Sequence, residues 1–325
     1  MLPLDIAPEI AQALAERRPV VALESTLISH GLPFPANLEV AAASEAAVRS
    51  AGAVPATVAI HDGRLLVGLD EAALVALATA PDGSVGKASR PSMATALAAG
   101  GWAATTVSGT MIIARAAGID VLATGGIGGV HRGAFGGPGA TRARGVPGAR
   151  GVPGARGATL DVSSDLEELA RTSMAVVCAG PKSILDVPAT LEYLETRGVP
   201  MIAVGQEDVP GFYCRSSGIR APAWVPDVAA AARIVGAHFG LALGSAILLA
   251  VPVPSDAALP EAEARAAVEA AIGDADRAGI GGPDLTPWLL ARISELTDGA
   301  AVRANTALIV NNARVGAYLA TALSG

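Results

Sequence analysis

The sequence is poor in aromatic residues, in cysteine and in charge, and each shortage excludes something. Phe, Trp and Tyr make up 3% of the 325 residues, so Ala, Val, Leu and Ile must fill the core. Side chains this small suit helices packed closely over a sheet. Only two cysteines occur, Cys178 and Cys214, and no Cys/His spacing matches a zinc site. Two free thiols in a cytoplasmic protein are the expectation. Charged residues are 16% of the chain, with 30 acids against 23 Lys and Arg and a formal net charge of −7. That balance argues against nucleic acid or an anionic membrane as the main partner, since both require a basic field. A phosphorylated small molecule needs only a few local cations and stays open. Long apolar runs are also missing, because Gly or Pro interrupts each one, and no membrane span is expected. The opening stretch MLPLDIAPEIAQALAERRP carries acids and lacks a basic segment followed by an apolar one, so it does not read as a signal peptide.

What is present is an alternation of short apolar runs and Ala-rich helical stretches. Residues 19–23, 121–124, 174–178 and 200–204 read as strands covered on both faces, because they are continuously apolar. ATVAIH at 56–61 and RLLV at 64–67 flank Asp62-Gly63, a hairpin signal. A further short strand is expected over Thr105–Val107. Helical periodicity covers 37–51, 92–99, 226–239, 259–278 and 301–323, and Thr286 is expected to cap a helix starting at Pro287. This pattern predicts a single α/β domain over 1–325, a three-layer α/β/α architecture with a central mixed β-sheet.

One segment breaks the pattern. GAFGGPGATRARGVPGARGVPGARG at 133–157 contains the hexapeptide GVPGAR twice in succession. Its composition cannot build a packed core, and a flexible inserted Gly/Pro/Arg-rich loop is expected at about 134–158.

Reactive polar residues gather in the loops that follow the strands. Glu24 follows a hydrophobic strand directly; it suits either acid–base chemistry or a local cap. Lys87 and Arg90 lie in GKASR, which lacks the glycine spacing of a phosphate-binding P-loop. They are either substrate cations or solvated loop charges. In TGGIGGVHR at 124–132, glycines after a buried strand allow backbone N–H groups to approach an anion, and His131 and Arg132 add donors. A tight structural turn is the other reading. The spacing is not a dinucleotide-binding fingerprint. In CAGPKSILD at 178–186, Gly180 turns the chain and Pro181 suits a first helical turn, which would place Lys182 at the positive end of a helix dipole. An amine held neutral there is a nucleophile able to form a Schiff base with a sugar aldehyde; a lysine bent out to solvent is the bland alternative. Asp161 and Asp165 flank Ser163 and Ser164, oxygen ligands suited to a hard cation, unless Asp165 or Ser164 caps the helix that follows.

Taken together, ALESTLISHGLP (22–33), GKASR (86–90), TTVSGTM (105–111), ATGGIGGVHRG (123–133), LDVSSDLEELA (160–170), CAGPKSILD (178–186), TPWLLARISELT (286–297) and NTALIVNNA (305–313) resemble the pseudouridine-5′-phosphate glycosidase family in order and spacing. That family includes the indigoidine synthase A-like proteins. The resemblance spans almost the whole chain. It implies reversible cleavage of the C–C bond joining uracil to ribose 5-phosphate, with Glu24 as proton donor and Lys182 as Schiff-base nucleophile. It further implies Asp161 as ligand of a Mn²⁺ ion (Mg²⁺ or another divalent ion being an alternative). Lys87, Val107, Ser163, Ser164 and Asp165 match substrate-contacting positions, and His131 and Asn305 are further pocket candidates. A homotrimer acting on a small-molecule substrate is implied as well. The inserted loop and Pro181 depart from the family pattern. Two rival readings are a Schiff-base aldolase for another sugar phosphate and a non-catalytic paralogue. The second would be marked by loss of Glu24, Lys87, Asp161 or Lys182, and all four are present.

Overall fold

The computed structural model describes residues 2–81, 83–136, 159–280 and 285–324. The Gly/Pro/Arg-rich loop expected at about 134–158 lies outside them except for its first three residues.

The strands are β1 (Leu4–Ile6), β2 (Val20–Leu23), β3 (Val54–His61), β4 (Arg64–Val67), β5 (Gly86–Ala88), β6 (Ala103–Thr105), β7 (Val121–Ala123), β8 (Ala175–Cys178), β9 (Met201–Val204), β10 (Ala223–Val225) and β11 (Ile247–Ala250). The helices are α1 (Pro8–Ala15), α2 (Thr26–His30), α3 (Ala36–Ser50), α4 (Glu71–Ala78), α5 (Met93–Ala99), α6 (Val107–Ala117), α7 (Ser164–Leu169), α8 (Val187–Thr196), α9 (Val228–Gly240), α10 (Glu261–Ala278), α11 (Leu285–Leu296) and α12 (Ala300–Ser324). The strands join in one sheet ordered β1-β4-β3-β2-β7-β8-β11-β9-β10, with β6 paired to β3 and β5 to β6. Pairing is antiparallel at β3–β4 and β3–β6 and parallel elsewhere, so the expected mixed sheet is present.

The continuous apolar runs are explained by their two covered faces. Along β8, Val176 and Cys178 belong to one hydrophobic cluster with α1, α6, α7 and α8 residues such as Ile10, Met111, Leu166 and Leu194. Ala175 and Val177 turn the other way, towards Val48 of α3, Val235 of α9 and Ala317 of α12. β2, β7, β9 and β11 alternate in the same manner. Successive side chains point to opposite faces, so a strand between two helical layers must be apolar at every position. This makes the three-layer α/β/α arrangement.

Three local expectations are corrected. Val107 does not extend a strand: the strand stops at Thr105, Thr106 caps α6, and Val107 is the first helical residue. The Thr106 hydroxyl accepts from the Gly109 N–H at 3.4 Å, the usual role of a threonine at this position. Pro181 does not open a helix. It forms a single bridge with Ile127, and α8 starts six residues later, capped by Asp186, whose carboxylate accepts from Ala189 N–H at 3.0 Å with Pro188 in the first turn. Lys182 therefore receives no helix dipole. Thr286 lies within α11 rather than capping it.

Candidate active site

In an open parallel sheet, ligands bind beyond the carboxyl ends of the strands. Glu24 stands just past β2, Thr124 just past β7, and the loop carrying Lys182 leaves β8. These three strands are neighbours in the sheet, so segments far apart in sequence meet at one edge.

Glu24 is buried, with 8% of its surface exposed. Its Oε1 accepts from the Thr124 hydroxyl at 2.8 Å and its Oε2 from the Thr26 hydroxyl at 3.3 Å. Burial raises the Glu24 pKa above the ordinary glutamate range; the Lys182 charge and the Thr124 hydrogen bond pull it back in part, and Asp165 adds to the rise. A carboxyl whose burial favours the neutral form, facing a lysine, is suited to general acid–base work.

The loop after β7 is stitched to the loop after β8. Ile127 N–H donates to Gly180 O at 3.1 Å, Ala179 N–H to Gly125 O at 2.9 Å, and Lys182 N–H to Ile127 O at 3.2 Å. The expectation that the glycines here cradle a ligand anion is revised at Gly128. Its N–H donates to Asp165 Oδ2 at 2.9 Å, so the anion it approaches is the protein's own carboxylate. A Cβ on Gly128 would lie 2.2 Å from the Ser163 hydroxyl, and one on Gly129 would lie 2.5 Å from the Thr190 hydroxyl. Glycine is required there by close packing. Arg132 is engaged by Glu269 at 2.7 Å.

Asp165 is buried, and its Oδ1 accepts from the Ser108 N–H of α6 at 3.0 Å. It therefore joins the start of α6, the Gly128 loop and α7. Neither Asp165 nor Ser164 is the cap of α7: Ser163 holds that position and accepts from the Asp165 N–H at 3.2 Å. Ser164 meets Ser108 hydroxyl to hydroxyl at 3.3 Å. Val107, one residue before Ser108, is buried at the α6 N-terminus.

Lys87, on β5, faces the same region. Burial first and the Lys182 charge second lower its pKa, while Asp165 and Glu24 oppose the shift. His131 is likewise lowered by burial, against the pull of Asp161, and Lys182 and Lys87 reinforce the effect. Glu24, Lys87, Asp165, Lys182, His131 and Asp161 thus form one electrostatic neighbourhood. Asn305 sits on α12 seven residues before Asn312, on the same helix face and roughly 10 Å along the axis.

Asn312 was not singled out from sequence. It is fully buried, and its Nδ2 donates to the carbonyls of Thr124 at 2.9 Å and Gly125 at 3.3 Å. It fixes the loop whose threonine holds Glu24.

Asp161 is the residue expected to hold a metal. Its side chain is half exposed, with His131 Nδ1 3.9 Å from Oδ2, and among the described residues no three His, Cys, Asp or Glu side chains cluster around a common point. One exposed carboxylate fits a hard cation that keeps most of its waters, such as Mg²⁺ or Mn²⁺, and not a zinc ion held by nitrogen and sulfur. A cavity of about 440 Å³ lies beside the lysine loop, lined by Arg132, Pro181, Ser183, Asp186, Arg265 and Glu269 among others. It is ligand-sized, but Glu24 and Lys182 do not line it. The chemistry is better placed by the buried acid and the lysine than by the volume of that cavity.

Comparison with known proteins agrees with the motifs. The model of the family described as indigoidine synthase A like protein matches residues 9–136 and 145–322. A pseudouridine-5′-phosphate glycosidase of Caldanaerobacter subterraneus subsp. tengcongensis is 49% identical over 99% of this chain and 97% of its own. One of Paracoccus denitrificans is 49% identical over 98% of each. Among solved structures, the prealnumycin C-glycosynthase AlnA in complex with ribulose 5-phosphate superposes with a TM-score of 0.83 at 39% identity, covering 99% of this chain and 97% of that one. An indigoidine synthase A-like protein of Thermotoga maritima gives 0.82 at 29% identity, covering 100% and 97%.

Proposed function

The chain belongs to the indigoidine synthase A like protein family, and from that premise we propose that it is an enzyme reversibly cleaving pseudouridine 5′-phosphate to uracil and ribose 5-phosphate. The observation that carries this reading is the buried carboxyl of Glu24, its neutral form favoured, set against Lys182 with the end of β7 between their strands.

A C-glycoside has no leaving oxygen to protonate, so two carboxylates of the kind used on O-glycosides are insufficient. The ribose ring opens as its ring oxygen takes a proton. The amine of Lys182 forms a bond to C1 as the bond from C1 to the ring oxygen breaks, and it gives up one proton in balance with the one the ring oxygen took. Its nitrogen lone pair then becomes the C=N bond of an iminium as the C1–C5 bond breaks. C5 of uracil leaves with the pair of the broken C–C bond and takes a proton, supplied by Glu24. Thr124 and Thr26 orient that carboxyl. Lys87, with Val107 and Ser163–Asp165, binds the phosphorylated sugar, and His131 and Asn305 line the remainder. Asp161 would hold Mn²⁺ or Mg²⁺, which supplies positive charge and ordered waters that orient the phosphate and base. The homotrimer and cytoplasmic location implied by the sequence motifs belong to the same proposal.

Purified protein with pseudouridine 5′-phosphate and Mn²⁺ is expected to release uracil, followed by chromatography, and Lys182→Ala is expected to lose activity by about 1,000-fold or more. Borohydride is expected to trap ribose 5-phosphate on the wild type only. A Lys182→Ala protein with near-normal turnover would overturn the Schiff base. No release by folded, Mn²⁺-loaded wild type would favour another sugar phosphate or a binding role.

A further inference from the structure

Glu24 has two sides. One faces Lys182 and the substrate region; the other borders a small cavity lined by Glu24, Ser44, Thr57 and Thr124 together with apolar groups including Leu27 and Ile309. The cavity offers about 10 Å³ of room, the space of one water. The Ser44 hydroxyl donates to Val40 O at 2.8 Å and so leaves its oxygen as an acceptor. Thr57 lies on β3 opposite Leu23, the residue before Glu24, and its hydroxyl donates to Glu45 Oε1 at 2.5 Å. Glu45 is on α3 and is part-exposed. From the acid to solvent, the groups therefore run Glu24, cavity, Thr57, Glu45.

A protonated carboxyl also has an O–H to donate. Among the described residues, Glu24's hydrogen bonds come from Thr124 and Thr26, which donate to it. A water in the cavity would accept that O–H and donate to Thr57 Oγ1. During turnover the substrate occupies the other side of Glu24, so a route through the back is the one left open.

We propose that Glu24 exchanges its proton with solvent through one water in this cavity, the Thr57 hydroxyl and the Glu45 carboxyl. The inference rests on the role of Glu24 in the proposed function. When the C1–C5 bond breaks, its electron pair goes to C5 and the Glu24 proton completes the C–H bond, leaving a carboxylate. Each group of the relay then passes one proton inward and receives one, and Glu45 takes the last from solvent. The water that hydrolyses the iminium releases one proton, so none is gained or lost over a cycle. Burial raises the pKa of Glu45 above the ordinary range, opposed by Thr57 and Arg49 and aided by Glu9, which favours its holding a proton. The charges facing Glu24 are Lys182, Asp165 and Lys87, and those facing Glu45 are Arg49 and Glu9.

Two measurements test the relay. Thr57→Val and Glu45→Gln are each expected to lower kcat about tenfold with KM unchanged and with the high-pH limb of the kcat profile displaced. Thr57→Ser, which keeps the hydroxyl, is expected to recover most of the loss due to valine. Wild-type kcat in both Thr57→Val and Glu45→Gln, or an equal loss in valine and serine variants, overturns the relay while leaving the reaction itself standing. The second measurement needs no substrate: a high-resolution crystal structure is expected to show an ordered water within hydrogen-bond distance of the Glu24 carboxyl and Thr57 Oγ1. A dry cavity overturns the relay, even if the enzyme acts on a different sugar phosphate.

Discussion

Thr124 donates its hydroxyl to Glu24 Oε1 at 2.8 Å, joining residues one hundred positions apart at the ends of adjacent parallel strands. This bond orients a carboxyl whose burial favours the neutral form.

The bond leads to a prediction about pH. Glu24 has a folded pKa above its unfolded value of about 4.5, so its favourable contribution to stability is present below that value and is lost as pH rises through the folded pKa. Glu24→Gln is expected to remove that dependence, leaving a urea-unfolding free energy flatter with pH than in the wild type. It is also expected to lower kcat about 100-fold or more. Thr124→Val is expected to cost about 1 kcal/mol of stability and to shift the pH at which the acid is lost upwards, because a group favouring the carboxylate is removed. A shift downwards would contradict the described geometry.

Asp165 is expected to matter to the fold as much as to substrate. Its two oxygens accept from Ser108 and Gly128 N–H groups on separate segments. Asp165→Asn replaces one acceptor with a donor facing a donor. A loss of about 2–3 kcal/mol in chemical denaturation is expected. An unchanged midpoint would mean the two segments are held together without it.

Metal removal should act on activity and leave the fold alone. A chelator is expected to reduce uracil release, with Mn²⁺ restoring it, and the melting temperature to move by less than about 2 °C, because Asp161 is half exposed and joins no buried cluster. Asp161→Ala is expected to need more Mn²⁺ for half-maximal rate than the wild type. Equal requirements would remove Asp161 from metal binding.

The Gly/Pro/Arg insertion is expected to be dispensable. Deleting residues 140–156 is expected to keep kcat/KM within about threefold, a change of less than 1 kcal/mol in transition-state binding. A folded but inactive deletion variant would show that the segment serves the site.

Strands such as Met174–Cys178 could be read from sequence because two helical layers leave no polar position along them. The loops that carry Glu24 and Lys182 followed directly from those strands. Local order within the loops was harder. Pro181 and Pro188 both suit a first helical turn, and only the second follows an aspartate able to cap. Partnerships across the chain left no local mark. Asn311 and Asn312 are adjacent in one helix, yet the first accepts from Arg314 at its periphery while the second is buried against two carbonyls. What separates them is the angle of one residue around α12, set by tertiary packing.

The Asn312 contact has a temporal consequence. A growing chain presents Glu24, Thr124 and Lys182 well before residue 312, and the Thr124 carbonyl that Asn312 holds precedes it by 188 residues. Until α12 docks, the loop between the acid and the lysine lacks its inner tether. The acid and the lysine are thus brought into register only once residue 312 has been added, and shorter pieces of the chain are expected to hold the two groups without their shared frame.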